Sequence, residues 1–222
     1  MIIAARMSIA GTIRSLGAAT ALSYGLARAT ARLPRISYYR YRLLAVPRQQ
    51  MPAMPRGWRT EVLSPEMLSG HAVDAPVATQ QWRFGQGMTC LAAFDGDLLV
   101  GVTWLTSEPF VDDEVRIRFV PPAGAAWDTG LWIHPERRLG RGFAALWAGT
   151  AHWLADRGLD WSASRIADYN LASIRSHLRM GAAELGTLTA FGLAGHQIAL
   201  GAHPGYVGAG GACADVRIRL AA

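Results

Sequence analysis

This chain of 222 residues predicts a mixed α/β domain of the α+β type. Its central sheet is expected to be mostly antiparallel, flanked by helices and preceded by a basic helical arm. Three observations carry that prediction. Two apolar runs, Met88–Phe94 and Leu98–Thr106, are joined by Asp95-Gly96-Asp97, a strong hairpin signal. A strand-like run, Ala125–Ile133, passes through a Gly/Arg turn directly into an amphipathic helix. Charge is also divided unevenly: residues 1–60 hold ten arginines and no acid, whereas 61–222 hold twelve arginines against sixteen acids. The two parts are therefore +10 and −4, which sum to the net +6 of the chain. A basic arm (1–56) on a mildly acidic domain (57–222) follows, and the basic character is no nucleic-acid footprint of the domain itself.

Within the arm, residues 1–32 read as a weakly amphipathic helix of small residues. Arg14 and Arg28 interrupt it, and Gly17, Ser23 and Gly25 lie between them, so it falls short of a membrane span. Arginine recurs where a signal peptide would hold an apolar core, so a cytoplasmic protein is expected. Residues 34–47 interleave Tyr38, Tyr39 and Tyr41 with Arg35, Arg40 and Arg42. That pattern suits a segment at an anionic membrane surface, a helix packed on the domain or on a second copy of the chain, or stacking on nucleic acid. Prolines from Pro47 to Pro55 suggest a linker.

From Trp58 the elements follow one another closely. Trp58–Leu63 alternates as a strand, Ser64-Pro65 starts a helix with proline at its first position, and Ala78–Gln86 is a second short helix. After the hairpin, Val115–Val120 and Ala125–Ile133 are strands. Gly142–Arg157 is a helix with Phe143, Leu146, Trp147, Thr150, Trp153 and Leu154 at helical spacing, stopped by Gly158. Leu159–Ile166 is the next strand, Asn170–Met180 a short helix closed by Gly181, and 186–200 and 212–220 are terminal antiparallel strands. Cys90 and Cys213 form no CxxC, and no His/Cys cluster has metal-ligand spacing, so buried free thiols and no metal are expected.

Chemistry concentrates in two places. The turn Ile133-His-Pro-Glu-Arg-Arg-Leu-Gly-Arg-Gly-Phe-Ala144 places glycines 140 and 142, with Arg137, Arg138 and Arg141, at a helix start. First-turn N–H groups without partners, beside the positive end of a helix dipole, suit a phosphate or pyrophosphate; an ordinary tight turn is the plainer alternative. Downstream, Asn170 can cap a helix, Ser173 and His177 share one of its faces, and Gly181 ends it.

Together, and in this order, the two motifs resemble those of the GNAT (GCN5-related N-acetyltransferase) superfamily over roughly residues 57–222. The second motif is matched by Asn170, Ser173, His177 and Gly181, with histidine where the family usually has tyrosine. The first fits in two registers, through Arg137, Gly140 and Gly142, or through Leu139, Gly142 and Ala144. The second is preferred because it puts Gly142 at the start of the helix.

The resemblance implies acetyl-CoA or another acyl-CoA lying in a V between Ala125–Ile133 and Leu159–Ile166. The Ile133 amide would meet the thioester carbonyl. The pyrophosphate would rest on Leu139, Gly140, Arg141, Gly142, Phe143 and Ala144, with charge from Arg138 and Arg141. Asn170 and Ser173 would contact the pantetheine. Asp128 is the first candidate for the base and His134 the second, while His177 would protonate the leaving thiolate. The acid run Asp112-Asp113-Glu114 is either a solvated loop or an attractor of cationic amines.

An acyl-CoA-dependent N-acyltransferase acting on a small-molecule or peptide amine is the function this implies. A non-catalytic acyl-CoA-binding module and a longer-chain acyltransferase at the membrane surface are the alternatives. Peripheral contact with an anionic membrane through residues 1–48, and a homodimer, are compatible with the arm; nucleic acid is not expected.

Overall fold

The computed structural model describes residues 16–137, 141–202 and 204–220. Five helices and twelve strands are found among them: α1 (Ala18–Thr30), β1 (Ile36–Pro47), β2 (Trp58–Leu63), α2 (Pro65–Ser69), α3 (Val77–Gly85), β3 (Thr89–Asp95), β4 (Leu98–Thr106), β5 (Phe110–Val111), β6 (Ile117–Val120), β7 (Ala125–Ile133), α4 (Gly142–Ala155), β8 (Trp161–Ala167), α5 (Leu171–Arg179), β9 (Ala183–Leu193), β10 (His196–Gly201), β11 (Gly205–Val207) and β12 (Ala214–Arg217). Nine strands form one sheet in the order β11-β10-β9-β1-β8-β7-β4-β3-β2. Every pair in it is antiparallel except β7 and β8. The mixed, mostly antiparallel sheet flanked by helices is thus the predicted architecture.

The arm ends earlier than expected. Residues 36–47 are neither helical nor interfacial. They form β1, which lies near the middle of the sheet, antiparallel to both β8 and β9. Tyr38 and Tyr41 are buried, so these side chains cannot sit at headgroup depth. A strand with apolar neighbours on both faces loses the simple alternation that would mark it in sequence, and its arginines use the helix-facing side: Arg40 meets Asp168 at 3.7 Å and Arg42 pairs with Glu184. Among the described residues of the arm, α1 keeps the helical character expected of it. It is anchored by Ser23, whose hydroxyl donates to Asp168 Oδ1 (2.8 Å) and accepts from Tyr38 (3.2 Å). Among the described residues no helix is long and apolar enough to cross a membrane.

Two layers of side chains sandwich the sheet. On one face α4 and α5 cover Leu44, Val46, Ala126, Ile133 and Ile166, with Leu146, Trp147, Leu154, Ile174 and Met180 filling the interface. On the other face lie Tyr41, Leu43, Trp104, Trp127 and Ala163, packed beneath Phe84 of α3 and the small β5–β6–β12 sheet. That small sheet corrects the expected C-terminal antiparallel strand: Ala214–Arg217 runs parallel to β6.

Candidate functional site

The parallel pair β7 and β8 keeps register only from Ala125↔Trp161 to Asp128↔Ser164. Beyond that point β8 stays with β1 as far as Tyr41↔Ala167, while β7 stays with β4. A bulge causes the parting. The β4–β7 register slips between Trp104↔Thr129 and Val102↔Trp132, and Gly130 takes φ +61° within it. Glycine is required there twice over, because a left-handed φ strains other residues and a Cβ would fall within the Arg83 guanidinium packed against it. Arg83 is itself held by Asp113 Oδ2 at 2.7 Å. The bulge shifts side-chain parity, so that Asp128 lies on the helix-covered face before it and Ile133 on the same face after it. A bulge that redirects a strand next to a site is common at functional positions.

At the end of β7 the chain makes a 3-10 turn, Pro135–Arg137, and enters α4 at Gly142, the helix start that the preferred register places there. An α-helix leaves the N–H groups of its first turn without intrahelical partners, here Gly142, Phe143 and Ala144, at the positive end of the dipole. Arg141 is the exposed N-cap residue. Gly142 also has a packing role, since a Cβ on it would come within 2.8 Å of Val100 Cγ1. Arg138, Leu139 and Gly140 lie outside the described residues. The His134 N–H donates to Val100 O at 2.7 Å. By strand alternation, the Ile133 amide is directed to the opposite side of β7, where β8 diverges.

Asn170 caps α5 as expected, its Oδ1 accepting from the Ser173 N–H at 3.3 Å. Ser173 in turn supplies its carbonyl oxygen to His177 Nδ1 at 2.8 Å. That bond assigns the Nδ1 proton and leaves Nε2 as the nitrogen that exchanges a proton. The His177 ring stands edge-on to Trp147 of α4, with centroids 5.2 Å apart and planes at 88°. His177 is buried, as is Asp128, which accepts a hydrogen bond from Ser162 at 2.6 Å. Burial raises the Asp128 carboxyl above the ordinary carboxylate range, and the nearby His177 charge is the largest influence pulling it back down. Asp128 of β7 and His177 of α5, the two predicted catalytic residues, thus lie near each other on the helix-covered face of the sheet. His134 carries a buried Nδ1 without a partner among the described residues and stands edge-on to Trp132, with ring centroids 6.0 Å apart.

On the opposite face, the acid run forms neither a solvated loop nor a free acidic patch. The Asp112 side chain is fully buried and takes two bonds from Arg165, Nε at 2.6 Å and Nη2 at 2.9 Å. It also accepts from the Glu114 and Val115 amides at 2.9 and 3.0 Å. Arg165 Nη1 reaches Glu114 Oε2 at 2.7 Å, and the same oxygen accepts from Tyr41 at 2.8 Å. Burial pushes the Asp112 carboxyl upward and Arg165 opposes that shift. Sequence reasoning missed Arg165, because a single arginine in a strand carries no signal of partners some fifty residues away.

No family model matches the chain, and no curated protein matches it. Solved structures do. A Drosophila protein superposes with a TM-score of 0.49 at 14% identity, over 78% of this chain and 54% of that one. A tandem GNAT protein from the clavulanic acid biosynthesis pathway gives 0.48 at 14%, over 77% and 56%. A GCN5-related N-acetyltransferase from Kribbella flavida gives 0.45 at 16%, over 72% and 60%. The chain thus spans little more than half the length of these structures. The chain's own geometry is two parallel strands that part at a bulge, with a helix N-terminus at the end of one and the Asn170 helix at the end of the other.

Proposed function

We propose that the protein is an acyl-CoA-dependent N-acyltransferase that moves an acetyl group from acetyl-CoA to an amine. The parting of β7 and β8 directly below the first turn of α4 is the observation that carries this function. It joins an anion-binding helix end to an opening in the sheet lined by polar groups. One buried donor there, Trp147 Nε1, has no protein partner among the described residues, which fits a polar ligand between α4 and α5.

The amides of Gly142, Phe143 and Ala144, with Arg141, would hold the pyrophosphate. Arg138, Leu139 and Gly140 belong to the same turn in this proposal. The Ile133 amide would face the thioester oxygen, and Asn170 and Ser173 would border the pantetheine. Acetyl-CoA supplies the activated thioester. The amine nitrogen attacks its carbonyl carbon, the C–S bond breaks, and the amine loses its proton to solvent or a nearby carboxylate. His177 Nε2 delivers a proton to the sulfur, giving an amide and CoA thiol. Asp128 is a positioning residue in this scheme, its charge favouring the protonated imidazole. A cytoplasmic location and contact of α1 with an anionic membrane remain part of the proposal.

Thiol release from acetyl-CoA in the presence of a panel of primary amines tests the activity. Amine-dependent release is expected. Tight binding of acetyl-CoA with no acceleration by any amine would favour a non-catalytic acyl-CoA-binding module instead.

A further inference from the structure

β1 runs past the end of β8, and a cavity of about 460 Å³ opens where it does so. Helix α1 and the turn after it form one wall through Thr30 and Leu33. Ile36 and Tyr39 of β1 form the floor, and Glu114 and Tyr169 close the far side. A smaller cavity, about 280 Å³, shares Ile36 and Glu114. The larger volume is that of a small-molecule site.

Its chemistry is uneven in an informative way. Aliphatic and aromatic side chains share the wall with the hydroxyls of Thr30 and Ser37, and among the described residues that line it Glu114 is the charged one. That carboxylate is half exposed, and both protein hydrogen bonds to it, from Tyr41 and Arg165, fall on Oε2. Among the described residues Oε1 accepts none, so one oxygen is anchored and the other is left for a ligand of the cavity that Glu114 lines. Tyr39, Tyr169 and Glu114 line the same cavity; burial raises both phenols, and the Glu114 charge adds to both shifts. A fixed carboxylate beside tyrosine rings, in a cavity of mixed polar and apolar lining, recognises an organic ammonium through charge, hydrogen bonding and ring faces.

The location matters as well. Tyr169 is the residue between Asp168, which follows β8, and Asn170, the cap of α5. The cavity therefore adjoins the same end of the parallel pair at which β7 and β8 part. We propose that this cavity is the acceptor pocket and that it takes a singly charged primary amine with an aromatic or aliphatic body, its ammonium on Glu114 Oε1. Helix α1, which lies outside the family-like part of the chain, then serves as a wall of the acceptor site. Its meaning as an acceptor pocket rests on the acyl-transfer function proposed above.

Calorimetry on the full chain, with 2-phenylethylamine as probe and its neutral counterpart 2-phenylethanol, tests the assignment, and acetyl-CoA is titrated separately. Glu114→Gln should weaken the amine about tenfold or more and leave acetyl-CoA affinity unchanged, while the alcohol binds the unaltered protein as weakly as the amine binds the variant. Ala27→Trp, which fills the cavity from α1 without touching the carboxylate, should also abolish amine binding, so a poorly folded Glu114 variant does not shelter the proposal. Equal amine affinity in the unaltered protein and Glu114→Gln, equal affinity for amine and alcohol, or no amine binding at all would overturn it. Failure of acetyl-CoA to bind while the amine binds in a Glu114-dependent way would sink the acyl-transfer function and leave the ammonium site standing.

Discussion

Replacing Arg165 with methionine keeps most of the side-chain length and removes the charge, and its effect can be worked from the contacts. The guanidinium is about nine-tenths buried and Asp112 entirely so. The change deletes two short bonds to Asp112, one to Glu114 and a longer one, 3.4 Å, to Asp113. Asp112 keeps its two backbone amide donors but loses its counter-charge. Removing one partner of a buried pair costs about 3–5 kcal/mol, because the remaining charge is left desolvated. In a chain of this size each kcal/mol corresponds to about 2–4 °C, so the melting temperature should fall by about 6–20 °C, measured by circular dichroism.

The pH dependence gives a second, independent reading. The Asp112 carboxyl already lies above its ordinary range in the folded protein. A group raised in this way contributes stability below its unfolded pKa and loses it as pH rises through the folded one. Without Arg165 the folded value moves higher still. The deficit of Arg165→Met should therefore be small in acid, where Asp112 is protonated, and grow from the carboxylate range towards neutral pH. A loss below about 1 kcal/mol at neutral pH, the size of a surface ion pair, would refute the buried-network argument, as would a deficit that does not change with pH.

Two further outcomes follow from the same structure. Asp128→Asn keeps the acceptor for Ser162 and removes the charge beside His177, so turnover should fall about 10²–10⁴-fold with acetyl-CoA affinity preserved. The alkaline limb of its pH–rate profile should also move to lower pH as the imidazolium loses support, and an unmoved limb would show that Asp128 has only a packing role. Because burial raises the Asp128 carboxyl, its ionisation opposes folding as pH rises, and this variant should be no less stable than the parent at neutral pH. Gly149→Ala puts a methyl at 2.6 Å from Thr60 Oγ1 and 2.7 Å from its Cγ2. That overpacking should cost about 1–3 kcal/mol in urea unfolding, and Thr60→Ala should relieve it; a neutral Gly149→Ala would mean that α4 and β2 are not in contact.

The parts of the fold set by local rules were legible in the sequence. β7 and the start of α4 coincide with their predicted bounds, because strand periodicity, the Gly/Arg turn and the helical spacing of Leu146, Trp147 and Trp153 all agree. Ser64 and Asn170 cap their helices as expected, since capping depends on neighbouring residues alone. β1 was not legible. Tyr39, Tyr41, Leu43 and Ala45 face one layer while Tyr38, Arg40, Leu44 and Val46 face the other, and a strand buried on both sides shows no alternation. The available signal was an aromatic-rich run bounded by Pro34 and Pro47, too long for a turn and free of glycine. The parity-shifting bulge at Gly130 and the pairing of Arg165 with Asp112 depend on tertiary contacts that no window of sequence contains. The turn at 138–140 belongs to the predicted site and lies outside the described residues.

Calorimetric titration of acetyl-CoA into the full chain and into Arg141→Glu tests the central claim most directly. Binding at one site per chain, weakened about tenfold or more by the charge reversal at the start of α4, is the predicted result. Identical affinities, or no heat of binding with the unaltered protein, would contradict the assignment of this helix end as the acyl-CoA site.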